Sequence, residues 1–277
     1  MGETAYIFGR GIDDRQRLEY QFTLLRTDFD AWFDEALRLG GRSSDPAGAD
    51  WSVLDLGCGE GQYSREIARR YPHATVLGAD LNPAAVAAAG AATEPNARFL
   101  VHDAAEPLPP TEVPQGGFDV AVSWLVLLYL ADKAGAVRNL AAALKPGGVL
   151  LLATVPDEPI LVEHPSAVRL RPLGRELFER AGMTGFDDGL DRLLTDAGFQ
   201  EVRTVSLTYP VGGTSREGQR WYRYFLMGIA VARHAIVDVF ALIDGAEYDV
   251  HLDTLAKAPP VEPPGSVRFL VTLARLA

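Results

Sequence analysis

Three glycines stand at alternate positions in the stretch Asp55-Leu56-Gly57-Cys58-Gly59-Glu60-Gly61, directly after an apolar run from Trp51 to Leu56. Glycine has no Cβ to hold a ligand away from the backbone, and it accepts positive φ. A helical pattern begins at about Gln62, with Tyr63, Ile67 and Ala68 on its inner face. The unpaired N–H groups of that helix N-terminus would be aimed into the turn. Strand, glycine turn and helix in this order make a seat for a ligand. The plain alternative is a tight turn that holds nothing. The spacing is G-x-G-x-G, whereas dinucleotide enzymes carry G-x-G-x-x-G to seat a pyrophosphate. Asp55 precedes the turn by two residues, Asp80 closes the apolar run Ala74–Ala79, and Asp103 follows the run Ala97–Val101. A carboxylate at Asp80 can accept both hydroxyls of a ribose. Each acid alone reads equally as a turn former or a loop acid. All three at successive strand ends are hard to obtain without a ligand, because open α/β sheets bind ligands beyond the carboxyl ends of their strands.

Those ends exist only if the chain alternates strands and helices. The pattern predicts strands at Trp51–Leu56, Ala74–Ala79, Ala97–Val101, Phe118–Ser123, Val149–Val155, Phe199–Leu207 and Ser266–Leu276. Helices fall between them, over Pro83–Ala92 with Asn82 as cap, over Lys133–Leu144, and over Gly189–Ala197 before Gly198. Lys145-Pro146-Gly147-Gly148 reads as the stop of the helix over Lys133–Leu144. Alternation of this kind implies a mainly parallel sheet with right-handed crossovers. Ahead of it, residues 13–38 read as one long helix, with Leu18, Phe22, Leu25, Phe29, Trp32, Phe33 and Leu37 at three- and four-residue steps. Residues 40–50 are a small, polar linker. Residues 157–186 interrupt the alternation and are helical over Pro165–Ala181. Residues 215–257 are mostly helical, and the last strand follows Pro259, Pro260, Pro263 and Pro264.

The run D-L-G-C-G-E-G resembles motif I of the class I methyltransferases, which use S-adenosylmethionine and release S-adenosylhomocysteine. The likeness extends in order over residues 51–155. It implies an α/β fold: a Rossmann-like seven-stranded, mainly parallel sheet with an antiparallel last strand and helices on both faces. It also implies an N-terminal helical lid over residues 1–40, a core over 51–277, and caps at about 157–186 and 215–257. The cofactor has an ammonium, a sulfonium and a carboxylate but no phosphate, so Asp55 suits its cation and orients the loop. In the same likeness Gly57, Cys58 and Gly59 form the turn and Asp80 takes the ribose. Leu81 packs on adenine, Asp103 with Ala104 meets the adenine amino group, and Ser123 and Trp124 meet the methionine part. Gln21 would reach the cofactor from the lid.

Methyl transfer is an in-line displacement at an already activated carbon, so proximity and alignment do most of the work. A general base is needed only if the acceptor must lose a proton. His164, which follows the fifth strand, ranks first, with Tyr20 beside it; His102, His234, His251 and Tyr6 are further candidates. Leu125–Leu130 would line the acceptor pocket or the core, with Tyr129 as a polar contact. Trp221 and Phe225, four residues apart on one helical face, would hold an aromatic or terpenoid acceptor or seal the cap to the body. Tyr6 would reach the acceptor when the lid is shut. No metal-ligand spacing stands out.

The 277 residues carry a net charge of −11, which argues against a nucleic-acid partner. No apolar run is long enough to span a bilayer. With one cysteine, Cys58, no intrachain disulfide forms, and a reduced, cytoplasmic protein is expected. The expected activity is therefore methyl transfer to a small organic acceptor, in the style of bacterial secondary metabolism, at carbon, oxygen or nitrogen. The apolar side of residues 13–38 must be covered by the body or by a neighbouring subunit, so a homo-oligomer with an exchanged N-terminal helix is one outcome. Rival readings are a nicotinamide-dependent oxidoreductase, a cofactor-binding cyclase or non-catalytic partner, and a structural domain that binds no cofactor.

Overall fold

The computed structural model describes residues 12–42, 50–91, 94–186, 189–258 and 261–277. Tyr6 lies outside the described residues. Eight strands form one sheet: β1 (Trp51–Leu56), β2 (Ala74–Asp80), β3 (Ala97–Val101), β4 (Phe118–Trp124), β5 (Leu144–Thr154), β6 (Ile160–Leu161), β7 (Phe199–Val211) and β8 (Gly265–Leu276). The order is β3-β2-β1-β4-β5-β8-β6, and β7 also pairs with β8. Neighbours from β3 to β5 run parallel, whereas β8 is antiparallel to both β5 and β6. The seven strands read from the sequence are all present. The extra one, β6, is two residues long and lies in the stretch read as an insertion. Another difference is the start of β5. Helix α4 (Lys133–Ala143) gives way at once to strand at Leu144, and Lys145–Gly148 is carried inside that strand by a register shift between Phe118 and Val120 and a positive φ of 74° at Gly147.

The chain divides into two compact units. The first consists of Arg26–Thr154, Phe186–Val205 and Leu270–Ala277 and holds β1–β5, α2 (Gln62–Arg70), α3 (Pro83–Ala91), α4 and α6 (Leu190–Asp196). The side chains of β1, β4 and β5 are almost wholly buried, as the near-continuous apolar runs require of parallel strands covered on both faces. On one face Ala121, Leu150 and Leu152 meet Val137 and Leu140 of α4 and Leu190 and Leu194 of α6. Aromatic rings of the long helix α1 (Ile12–Leu39) belong to the same unit. Phe29 lies 4.3 Å from the Tyr63 ring and 5.0 Å from that of Trp124. The Phe33 ring lies 6.0 Å from that of Trp51 and 5.6 Å from that of Tyr71, tilted against both. Arg26 pairs with Glu66 at 2.6 Å and Arg70 with Asp34 at 2.5 Å. The apolar face of this half of α1 is thus covered inside its own chain, and its burial requires no neighbouring subunit. Leu18, expected on that face, is instead 37% exposed.

The other unit consists of residues 12–25, Val155–Gly185 and Ser206–Phe269. It holds α5 (Pro165–Arg180), α7 (Arg216–Arg233), a π-helical turn at His234–Val239, and α8 (Gly245–Lys257). Ser215 caps α7 by accepting from Gly218 N, and Asp244 caps α8 by accepting from Ala246 N and Glu247 N. The Trp221 ring stacks on Tyr209 and lies tilted 5.6 Å from Phe269. Two tyrosines tie the helices together, Tyr222 donating to Leu255 O and Tyr248 to Ile229 O. Among the described residues no helix is long and apolar enough to cross a membrane.

Candidate active site

The parallel register brings the carboxyl ends of β1 to β4 level. Leu56 lies opposite Ala79, Asp80 opposite Val101, and Asp55 opposite Val122. The glycine turn leaves β1 by donating from Gly57 N and Cys58 N to Ala79 O, at 2.7 and 3.1 Å. Gly57, Gly59 and Gly61 all have positive φ. Their surroundings differ. A Cβ on Gly57 would sit 2.2 Å from Val126 Cγ2, and one on Gly61 would meet the Phe99 ring at 2.7 Å. A Cβ on Gly59 would meet nothing within 4 Å. Two of the glycines therefore allow close packing, and the third opens the backbone to whatever the turn holds.

Asp80 organises that opening. Its Oδ2 accepts from Gly59 N at 2.8 Å and its Oδ1 from Asn82 N at 2.8 Å. An ionised carboxylate has roughly four acceptor sites, so capacity for two hydroxyls is left. Asn82 Oδ1 accepts from Ala84 N and starts α3, as expected. Leu81, beside it, is 55% exposed, an apolar side chain held out at a strand end. Asp103 follows through the bond from His102 N to Asp80 O. Its Oδ1 accepts from Ala105 N, and Oδ2 has no protein donor among the described residues. Ala104 is buried in the core.

Asp55 takes a different place from the one its charge suggests. It is 1% exposed, and Oδ2 accepts from Ser64 Oγ at 2.5 Å. Burial pushes its carboxyl up to about 6, against the Ser64 hydrogen bond, and Asp80 adds to the rise. A carboxylate so enclosed does not face a ligand's ammonium. It fastens the first turn of α2 to β1 and so orients the loop. Ser64 escapes a reading of the sequence because nothing local marks a serine as the partner of an acid nine residues earlier. Burial raises the Cys58 thiol as well, with Asp55 and Asp80 adding to the rise, so it is held as a thiol.

At the ends of β4 and β5, Ser123 Oγ, Trp124 Nε1 and Thr154 Oγ1 are buried with no hydrogen-bond partner among the described residues. Unpaired buried polar atoms cost about 1–3 kcal/mol each and cluster where a ligand or water completes the set. Leu125, just past β4, has φ 61°, a strained conformation for a leucine. Leu127 and Leu128, in the 3-10 turn Leu127–Tyr129, are core residues, while Leu125, Val126, Tyr129 and Leu130 keep partial exposure. Sequence reasoning does not find Thr154, which is concealed in an apolar strand.

The remaining candidates belong to the other unit and are not joined there into one site. Tyr20 donates to Arg220 O at 3.3 Å, and Gln21 Nε2 donates to Tyr224 Oη at 2.5 Å. His164 caps α5, its Nδ1 accepting from Ser166 N at 3.2 Å. That bond leaves the proton on Nε2 in the neutral ring and gives the residue a structural task. Trp221 is 2% exposed and stacked on Tyr209 at 4.6 Å. It seals the unit, and the substrate contact expected of it is not available. Phe225 is half-buried, 5.8 Å from the Tyr222 ring.

The chemistry of this donor set fits S-adenosylmethionine. Gly59 gives the opening, Asp80 and Asp103 accept, Leu81 offers an apolar surface, and the orphaned groups on β4 and β5 await polar partners. A sheet order of 3-2-1-4-5 with an antiparallel strand beyond β5, a G-x-G-x-G turn and acids at the next two strand ends defines a class I methyltransferase. Comparison with known proteins agrees: residues 24–204 match the family described as "Methyltransferase domain", and the chain belongs to that family. It is 32% identical over 226 residues to the trans-aconitate 2-methyltransferase of Deinococcus radiodurans, covering 77% of this chain and 80% of that protein. It is 37% identical over 116 residues to the 2-methyl-6-phytyl-1,4-hydroquinone methyltransferase of Synechocystis sp., covering 41% of this chain and 34% of that one. The crystal structure of the [4+2]-cyclase SpnF superposes with a TM-score of 0.52 at 21% identity, covering 87% of this chain and 79% of the other, a likeness of fold alone. The protein is an S-adenosylmethionine-dependent methyltransferase, and the nicotinamide reading falls away.

Proposed function

We propose that this methyltransferase acts on a small organic molecule, such as a natural-product intermediate. The observation that carries the reading is the open Gly59 backbone pinned by Asp80, a built cofactor seat in an acidic chain. The names of the two relatives above, both of which methylate small molecules, support the acceptor class. When bound, S-adenosylmethionine supplies a methyl group on a sulfonium, activated for displacement. The chain's own residues then bind and align. Asp80 holds hydroxyls and the turn at once, Asp103 accepts from the adenine side, and Leu81 removes water from an aromatic face. The buried polar atoms of Ser123, Trp124 and Thr154 add fixed dipoles at low dielectric cost. No base is assigned, since His164 is occupied as a cap.

The N-terminal segment is proposed to work as a lid. Support comes from the bonds of Tyr20, Gln21 and Arg17 to α7, which make residues 12–25 part of a helical unit rather than a loose arm. Mass spectrometry of the protein incubated with methyl-labelled S-adenosylmethionine and a metabolite extract tests the function. A labelled small product is expected. S-adenosylhomocysteine binding without any labelled product would turn the reading toward a cofactor-binding cyclase or partner.

A further inference from the structure

Lys133 opens α4 at the end of the segment that runs from the cofactor turn. Val126 at one end packs on Gly57. Tyr129 N donates to Val126 O and Leu130 N to Leu127 O, so the segment is a fixed turn and not a loose loop. At its other end, Lys133 Nζ donates to Leu130 O at 2.8 Å and stands 5.9 Å from the centre of the Phe186 ring.

The ammonium is half-buried, and among the described residues no carboxylate pairs with it. The nearest acid in sequence, Asp132, is committed elsewhere. Its Oδ1 accepts from Gly135 N at 2.7 Å, and its Oδ2 pairs with Arg138 at 3.9 Å. Among the described residues most basic groups have acidic partners; Lys133, like Arg65 and Arg268, is half-buried and held by a carbonyl, and of these three it is the one beside an aromatic ring.

We propose that Lys133 is the anion anchor of the acceptor site, recognising a carboxylate on the small molecule that is methylated. The proposal rests on the methyl-transfer reading above and names the acceptor class within it. Loss of water lowers the lysine's pKa, and an incoming anion would restore the charge compensation that burial removed. One ammonium with a carbonyl and an aromatic face matches a single carboxylate. A phosphate dianion would call for more donors. The Phe186 ring favours the cation and offers an apolar wall to the carbon skeleton beside the carboxylate.

Calorimetry on the full chain saturated with S-adenosylhomocysteine tests this. The probes are trans-aconitate, succinate, benzoate and cinnamate, each also as its full methyl ester, on the wild type and on Lys133→Met and Lys133→Arg. At least one acid should bind, with its ester at least about tenfold weaker. Lys133→Met should weaken that acid by about 10- to 100-fold, the range for a hydrogen bond to a charged group. The same variant should leave S-adenosylhomocysteine affinity and melting temperature unchanged, and Lys133→Arg should recover part of the loss. Absence of binding by every acid, equal binding of acid and ester, or an unchanged affinity in Lys133→Met would overturn the anchor. Failure of S-adenosylhomocysteine itself to bind would count against the methyltransferase reading, and is seen before any acid is added.

Discussion

Replacing Asp55 with asparagine should stabilise the ligand-free protein at neutral pH. The carboxyl is 1% exposed and is pushed up to about 6 from an ordinary 3.8, chiefly by loss of water. At about 1.4 kcal/mol per pH unit, that difference destabilises the folded, ionised form by about 3 kcal/mol. The folded chain holds this proton more tightly than the unfolded chain does. Well below pH 4 both forms are protonated and nothing is lost. As pH rises from about 4 through about 6 the unfolded chain gives up its proton first, so stability falls across that window and stays lower above it. The asparagine side chain would have no such titration and could still accept from Ser64 Oγ, which now lies 2.5 Å from the carboxylate. Urea unfolding of both proteins at about pH 4, 5, 6 and 7 measures the gap. Carboxylates remote from Asp55 cancel in the comparison, so the difference reports on this carboxyl and the Asp80 charge coupled to it. It should widen in favour of Asp55→Asn by about 2 kcal/mol between pH 4 and 7. Parallel pH profiles would show that Asp55 is not enclosed as described, and its role in fastening α2 would go with it.

Gly57→Ala and Gly59→Ala should part company. The Gly57 change drives a Cβ to 2.2 Å from Val126 and should cost at least about 2 kcal/mol in thermal unfolding. The Gly59 change meets no neighbour, should cost about 1 kcal/mol for its left-handed φ, and should show its main effect as weaker S-adenosylhomocysteine binding by calorimetry. Asp80→Ala should weaken the cofactor by about 1.5–3 kcal/mol while the fold survives, and an unchanged dissociation constant would remove Asp80 from the site. Tyr224→Phe removes the acceptor shared by Arg17 and Gln21 and should lower stability by about 1–3 kcal/mol in chemical unfolding. Deleting residues 1–20 should abolish turnover while leaving a folded chain by circular dichroism; full activity would dismiss the lid.

What is legible in the sequence is local. Glycines at alternate positions after an apolar run carry their own geometry, and Asp80 and Asp103 can be placed because a strand end is a property of the few residues around it. The parallel sheet follows from alternation alone. Residues whose role depends on distant neighbours are not legible in this way. His164 has the place of a base because it follows β5, yet its ring is claimed by the amide of Ser166, two residues on. Trp221 has the helical spacing of a binding residue, but Tyr209 and Phe269, brought in by strands, close over it. Asp55 is visibly part of the motif, whereas its burial depends on β2 and β4 flanking it in the sheet. Lys133 gives no sign, because an isolated lysine beside a helix cap is ordinary until its surroundings show that no acid among the described residues answers it.

The boundary between the two units is crossed by the chain at 25/26, 154/155, 185/186, 205/206 and 269/270. Three of those crossings fall inside α1, β7 and β8, in unbroken secondary structure. The helical unit is thus not a cassette. No single cut-and-paste event could exchange it for that of a relative, since every graft would need junctions in mid-helix and mid-strand. The other two crossings, at 154/155 and 185/186, fall outside helices and strands. A laboratory attempt to alter the acceptor by shuffling should draw its crossovers there, leaving the three continuous elements whole.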